Sequence, residues 1–272
     1  MQINTVQKVL IAYLVILLGY WFSLHFFIKT TTGFHNLFFS FMFSLVPFLG
    51  GFFGLFLSKY WGWLKSSVGR AVFFVSLGSF SWGFGSMIWS YFNFFKDVVI
   101  PYPSIADVGF LACVVFWTIG IINLSYATGA HSGFKKGNGK LILLSFPFFI
   151  TLISYYLLVH VARAGVLVDL TGGYLKLFFD LAYPISDVVI LTLALLIFSL
   201  SVNYLGGKYK LSILSLLAGL VLMYFADFVF SYTTTIGTFY NGDFGDLLFT
   251  TALWLICFGT LGFSLPNKEL KE

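Results

Sequence analysis

Apolar residues fill most of this chain in eight long runs, and a short polar connection separates each run from the next. Each run approaches the ~20 residues that an α-helix needs to cross a lipid bilayer. The alternation of apolar and polar residues that is typical of a membrane-spanning strand is absent from stretches such as 188–200. The pattern therefore predicts an all-α, polytopic transmembrane helical bundle. The predicted spans are residues 8–28, 34–57, 71–94, 105–126, 140–161, 175–203, 210–232 and 244–264.

Composition supports the same class of protein, because 59% of the 272 residues are hydrophobic and only 9% are charged. A soluble domain carries about 25% charged residues. We expect one transmembrane domain over residues 1–265, with the lipid bilayer as its main partner, and a short charged tail over 266–272. The net charge of +5 comes from cations in the connections, so it indicates membrane topology and no nucleic-acid partner.

The basic residues predict the orientation of the bundle in the cell membrane. Eleven of the 15 fall on the side of the two termini, which the positive-inside rule makes cytoplasmic. These eleven are Lys8, Lys59, Lys65, Arg70, Lys135, Lys136, Lys140, Lys208, Lys210, Lys268 and Lys271. The outer side holds Lys29, Lys96, Arg163 and Lys176. Most acidic residues fall at the outer side or in the outer halves of spans: Asp97, Asp107, Asp169, Asp180, Asp187, Asp227, Asp243 and Asp246.

A proline-stiffened polar segment, residues 100–107, joins the third and fourth spans. Ser104 and Asp107 have the spacing of a capping box, in which each side chain accepts from the main chain of the other. The two prolines of the segment stop the third span. The segment is therefore either a helix start alone, or a helix start in which Tyr102, Ser104 and Asp107 also line an outward-facing ligand pocket.

Residues 241–246 open the eighth span in a similar way. The Asn-Gly pair marks a turn, Asp243 is a predicted N-cap, and Asp246 lies in the first turn, where the helix dipole favours a carboxylate. Asp246 recurs with Thr250 and Trp254 on one helical face, which we expect to point into the bundle. Asp246 is thus a capping residue with a pocket role as the alternative.

The sixth span carries Asp180, Tyr183, Pro184 and Asp187 within an apolar run. Pro184 has no N–H and displaces the carbonyl of Asp180, so it is predicted to kink the helix and to act as a hinge. Asp187 is expected roughly 15 Å below the outer boundary, where an ionised carboxylate costs at least ~2.5–3.5 kcal/mol. An acid at that depth is either functional or a structural hydrogen-bonding group.

Tyr224, Asp227 and Ser231 share one face of the seventh span. Asp227 is expected roughly 5 Å below the outer boundary, close to the predicted depth of Asp180. Two carboxylates at one depth share a proton, bind a cation, or pair with Lys176, Arg163 or a histidine. These alternatives remain open at the level of the sequence.

Small and hydroxyl residues along the second and third spans predict close helix packing rather than a site. They include Gly50 and Gly54 in the second span, and the third span carries Ser79, Trp82, Ser86, Trp89 and Asn93 on one side. Cys113 and Cys257 lie inside apolar runs and are predicted to be two buried thiols.

No familiar catalytic motif occurs in the chain. There is no Walker loop, no GxSxG and no HExxH. His25, His35 and His160 fall near the outer face, which keeps an Asp/His metal site open as an alternative. No pair of histidines has helical ligand spacing, so we predict no metal site, and the cofactor remains unknown.

Three motifs occur in an order that resembles a known family. They are the segments 101–107 (PYPSIAD), 183–187 (YPISD) and 226–246, which begins with Ala-Asp and contains GTFYNGDFGD. Together they resemble the multi-span membrane sensor region found ahead of PAS, histidine-kinase and GGDEF output domains in bacteria and archaea. The resemblance implies an input module that detects a ligand at the outer face. The sequence ends at Glu272 without such an output domain, so the alternatives are a stand-alone sensor that signals through a partner, a piece of a larger sensor protein, or a relative with a transport or enzymatic role.

Three functional hypotheses follow. The first is a non-enzymatic membrane sensor or receptor-like protein, in which a ligand or proton binds the outward Asp/Tyr pocket and a cytoplasmic or membrane partner receives the signal. The second is a small-solute or proton-coupled transporter, which a midplane acid and a proline-broken helix suit. The third is a membrane-embedded, metal-dependent lipid hydrolase. Self-association into a homo-oligomer is left open.

Overall fold

A computed structural model describes residues 3–96, 98, 100–133, 139–168, 172–201 and 208–264. Every regular element among these residues is helical. Eight helices are long and apolar enough to cross a membrane, which confirms the predicted helical class and span count. They are α1 (Thr5–Ile28), α2 (Phe34–Tyr60), α3 (Ser67–Phe95), α4 (Ile105–Ala127), α5 (Gly139–Val161), α6 (Gly173–Leu200), α7 (Lys210–Thr235) and α8 (Phe244–Leu261). This is the architecture of a multi-pass membrane protein.

Several sequence predictions lie outside the described residues. These are the charged tail 266–272 and the residues Asp97, Lys135, Lys136, Asp169, Lys268 and Lys271.

The helix ends differ from the predicted spans by a few residues, most clearly at the start of α3. This helix begins at Ser67, whereas the prediction placed its start at residue 71. The Ser66 side chain caps the helix by accepting from Gly69 N at 2.9 Å. Arg70 continues the first turn, and its Nε donates to Asn123 Oδ1 at 2.6 Å. Hydropathy misses this turn because Ser67 and Arg70 are polar, while the Ser66 cap and the Arg70 hydrogen bond hold it in the helix.

α8 is the most enclosed helix, with 67% of its apolar window buried, against 17% for α1 and for α5. It packs against α1, α2, α3 and α7, while α3 packs along both α2 and α4. α6 packs between these groups of helices, because it contacts α4, α5 and α7. The outer faces of α1 and α5 are covered with exposed apolar side chains such as Val15, Phe148 and Ile153, as a lipid-facing surface requires.

Glycines allow the closest helix contacts, as the sequence predicted for small residues. A Cβ at Gly109 in α4 would lie 2.9 Å from the main chain of Gly85 in α3. A Cβ at Gly50 in α2 would lie 2.7 Å from Cys257 Sγ in α8. Cys113 and Cys257 are both free and buried, which confirms the prediction of two buried thiols.

The helix ends at Ile28, Phe95, Val161 and Thr235 lie at one end of the bundle, which we call the acidic end. Hydrogen bonds between distant segments fix this end: Asn36 Nδ2 donates to Asn241 O at 3.0 Å. At the opposite end, Trp61 Nε1 donates to Phe263 O at 2.7 Å. Three helices finish at the acidic end in π-helical turns, over Leu24–Ile28, Tyr91–Phe95 and Tyr156–Val161. The successive spans therefore alternate in direction.

Candidate functional site

A cavity of about 660 Å³ extends from the acidic end into the bundle, as far as Trp117 and Ile190. Helices α2 to α8 each contribute to its wall, α5 through Leu158. Eight of the nine candidate binding residues line it, and so does the predicted hinge residue Pro184. These eight are Tyr102, Asp107, Asp180, Tyr183, Asp187, Tyr224, Asp227 and Asp246. Ser104 does not reach the cavity and acts on it only through Asp107.

Asp107 uses both carboxylate oxygens. Its Oδ2 accepts from Ser104 N at 2.6 Å and from Ser104 Oγ at 3.0 Å, which completes the predicted capping box. Its Oδ1 accepts from the Tyr183 hydroxyl at 2.6 Å, so the same side chain also ties α4 to α6. The structural and site interpretations of Asp107 are therefore compatible, because one carboxylate starts a helix and lines the cavity at once.

Tyr102 makes the reciprocal contact between the same two segments. Its hydroxyl donates to Asp180 Oδ1 at 3.0 Å, while Lys176 Nζ pairs with Asp180 Oδ2 at 3.4 Å. Desolvation, followed by the neighbouring Asp180 carboxylate, raises the pKa of Tyr102 above its ordinary value of 10.0. The phenol is therefore a neutral donor at physiological pH. The 101–107 segment and α6 thus exchange two tyrosine–aspartate hydrogen bonds at the mouth of the cavity.

Arg163 supplies the hydrogen bond that Pro184 removes. α6 runs on as a helix through Pro184, which cannot donate to the carbonyl of Asp180. Arg163 Nη1 donates to that carbonyl at 2.8 Å and also to Leu167 O at 3.1 Å. The sequence predicted the free acceptor correctly, and the structure identifies its donor on the connection that follows α5.

Asp187 and Asp227 both line the cavity wall, and their carboxyl groups lie close enough to interact directly. The sequence interpretation compared Asp227 with Asp180, whereas the structure brings Asp227 next to Asp187. Asp187 lies further along α6 from the acidic end than Asp227 does along α7. Two carboxyl groups hydrogen-bond to each other only when one of them carries a proton. We call Asp187 and Asp227 the carboxyl pair.

Asp243 and Asp246 start α8 as predicted. Asp243 Oδ1 accepts from Asp246 N at 3.0 Å, and Asp246 Oδ2 accepts from Gly242 N at 2.6 Å. Desolvation raises the pKa of Asp243, which lies just before the span, above its ordinary value of 3.8. Thr250 is fully buried, and Trp254 Nε1 donates to Leu10 O at 2.7 Å, so their face points inward. Only Asp246 of these side chains reaches the cavity.

Aromatic side chains form much of the cavity wall. Trp82 and Trp89 of α3 line it with Ser86 between them, although the sequence interpretation assigned this face to packing. Their spacing placed them on one helical face, but nothing in that spacing distinguishes a cavity wall from a helix contact. Tyr224 donates to Ser154 Oγ at 3.0 Å and so fixes α7 against α5. The remaining aromatic wall residues are Phe43, Phe110, Trp117, Phe230, Phe239 and Phe249.

Histidines lie away from the cavity. His25 stacks on Trp21 and contacts the Tyr240 hydroxyl at 3.2 Å, while His35 contacts the Tyr20 hydroxyl at 2.9 Å. Within the described ranges, no group of three His, Cys, Asp or Glu side chains is arranged to hold a metal ion. The geometry of the described residues therefore offers no support for the metal-dependent hydrolase hypothesis.

Comparisons with protein-family models, with curated proteins and with solved structures find no match to this chain. The function is therefore argued from the site itself.

Proposed function

We propose that this protein is a membrane-embedded, receptor-like sensor that binds a small ligand in the cavity at its acidic end. The observation that carries the proposal is that polar side chains from separate sequence motifs converge on one cavity. Motifs from α4, α6, α7 and α8 each contribute at least one aspartate to its wall. Helix capping alone does not require that aspartates from four helices line the same cavity.

The form of the cavity suits a small organic ligand. Its volume of about 660 Å³ lies within the ~300–1,000 Å³ typical of ligand pockets. Such pockets combine apolar or aromatic walls with a few fixed polar groups, which is the composition seen here. The polar groups are held by hydrogen bonds to neighbouring elements, so the site is preorganised.

The direction of signalling follows from the basic residues. With both termini cytoplasmic, the acidic end faces outward, and the basic connections around Lys140 and Lys208–Lys210 face a cytoplasmic or membrane partner. α6 extends between these two ends, and Pro184 gives it a point of flexure next to the cavity. Ligand binding would shift α6 and so change the surface presented to the partner. The resemblance to sensor regions supports this role.

The experiment is native mass spectrometry of the protein purified from its own membranes. Ser231→Trp fills the cavity from α7, and Phe225→Trp is the matched control, because Phe225 is 47% exposed on the same helix and does not line the cavity. We expect a bound small molecule on the wild type and on Phe225→Trp, and none on Ser231→Trp. An equally occupied or equally empty set of three proteins would contradict the proposal.

A proton-coupled transporter is the second candidate, and the carboxyl pair favours it. Two hydrogen-bonded acids inside a membrane bundle are a feature of proton relays. Reconstituted vesicles distinguish the two functions. A transporter accumulates solute when a proton gradient is imposed and stops doing so in Asp187→Asn, whereas a sensor binds its ligand without net transport.

A further inference from the structure

The cavity combines an anionic centre with aromatic walls. Its lining includes the carboxyl pair, Asp107, Asp180 and Asp246, against the two cations Arg163 and Lys176. Asp180 is paired with Lys176, and Asp107 and Asp246 accept main-chain hydrogen bonds that hold them in helix starts. Among the described residues that line the cavity, the carboxyl pair is therefore the acidic group that neither caps a helix nor forms the ion pair seen at Lys176.

The carboxyl pair retains accessible surface although it lies inside the bundle. Both side chains are partly exposed, and both line the cavity. Charged or titratable groups face the pair from each side of this part of the cavity: Cys113 on α4, Arg163 after α5, Tyr183 on α6 and Tyr224 on α7. Arg163 is the one cation among these four residues. A positively charged ligand therefore competes with only one of them for the carboxyl pair.

We propose that the carboxyl pair is the recognition subsite of the cavity for a ligand with a protonated amine, and that the amine displaces the proton that the two carboxyl groups share. This inference rests on the proposed function and names the class of its ligand. Before binding, the pair carries one proton and a net charge of −1. The ammonium group enters, the shared proton leaves to solvent, and the two carboxylates with the ammonium again sum to −1.

This exchange has a physical reason. A net change of charge inside a membrane bundle is costly, and the exchange leaves the charge unchanged. The ammonium replaces the single hydrogen bond of the pair with charge-assisted bonds to both carboxylates. The wall residues Trp82, Trp89 and Phe110 supply apolar contact for the body of the ligand and aromatic faces that attract its cationic head.

A matched series of probes tests the inference: 4-phenylbutylamine, 4-phenylbutanol and 4-phenylbutyrate, which share one apolar body. Their binding to the full chain in detergent is measured by isothermal titration calorimetry in two buffers of different ionisation enthalpy. We expect the amine to bind about tenfold or more tightly than the alcohol. We also expect it to release about one proton, because the shared proton leaves the carboxyl pair.

Asp187→Asn and Asp227→Asn should each abolish both the amine preference and the proton release. Both keep an amide in hydrogen-bonding reach of the remaining carboxyl group, so folding is preserved, as their melting temperatures will show. Asp243→Asn is the matched control, because it removes a buried carboxyl group outside the cavity. Equal binding of amine and alcohol, or binding without proton release, overturns the inference while the proposed function stands. If none of the three probes binds, and native mass spectrometry also finds no bound molecule on the wild type, both the inference and the proposed function are overturned.

Discussion

Arg163 donates a 2.8 Å hydrogen bond from Nη1 to the main-chain oxygen of Asp180, the acceptor that Pro184 leaves without its helical donor. The bond connects the segment after α5 to α6 beside the cavity. A side chain that replaces a missing main-chain donor allows a proline to persist inside a membrane helix. Pro184 is therefore tolerated in α6 because Arg163 satisfies the Asp180 carbonyl. The coupling between the two residues can be measured as a difference in the free energy of unfolding.

Arg163→Gln should lower the free energy of unfolding by roughly 1–3 kcal/mol, because the Asp180 carbonyl loses its partner. Pro184→Ala restores the N–H that the carbonyl would receive in a regular helix. The double variant should therefore lose much less stability than Arg163→Gln alone. Melting temperatures in detergent for the four members of this cycle give the coupling energy, and strictly additive effects would rule out the proposed dependence.

The two tyrosine–aspartate hydrogen bonds at the cavity mouth should contribute different amounts to the free energy of unfolding. Tyr183→Phe leaves Asp107 Oδ1 without its donor inside the bundle, so we expect a loss of roughly 1–3 kcal/mol. Tyr102 is 45% exposed, and water can replace its hydroxyl, so Tyr102→Phe should cost less than about 1 kcal/mol. Thermal unfolding of the two variants side by side checks the order. A larger loss for Tyr102→Phe would contradict the assignment.

A methyl group at Gly109 should separate α3 from α4. The added Cβ would lie 2.7 Å from Ser81 O and 2.9 Å from the main chain of Gly85, and neither can move without shifting a helix. Gly109→Ala should therefore cost about 1–3 kcal/mol. Gly19→Ala is the control, since nothing lies within 4 Å of its added Cβ, and it should be neutral or stabilising. Similar losses in both variants would argue against the close approach.

The carboxyl group of Asp243 should make stability depend on pH. Its pKa in the folded protein lies above the ordinary value of 3.8, so the folded state holds its proton more tightly than the unfolded state does. The associated stability is present at low pH and is lost as the pH rises from 3.8 through the raised pKa. Asparagine keeps an N-cap acceptor without the titration. The melting temperature of Asp243→Asn relative to the wild type should rise over that pH range, and a constant difference would contradict the prediction.

Much of the fold could be predicted from the sequence because a membrane helix is recorded in a local run of apolar residues. The eight spans and the capping roles of Ser104 and Asp243 follow from signals within a few residues of each other. Contacts between helices are different, because they depend on how far each helix protrudes and how it is rotated. Counting residues along each span placed Asp227 beside Asp180, whereas in the structure it interacts with Asp187.

The same limit applies to the cavity. The periodic face of Trp82, Ser86 and Trp89 indicates that these side chains point to one side of α3. Whether that side meets another helix or an open space depends on the placement of α6 and α7, which no local pattern records. The sequence offered Arg163 as a cation near the outer side and as a partner for a carboxylate, but not as the donor to the Asp180 carbonyl, since that acceptor lies on a different segment.

The most direct test of an outward-facing site is thiol labelling of intact cells with a membrane-impermeant maleimide. Ser231→Cys is placed in a background of Cys113→Ser and Cys257→Ser, so that the only thiol lines the cavity. Lys65→Cys in the same background reports on the opposite end, where Lys65 is exposed. We predict that Ser231→Cys is labelled on intact cells and Lys65→Cys only after the membrane is opened. Labelling of Lys65→Cys on intact cells, with Ser231→Cys labelled only in opened membranes, would contradict the account.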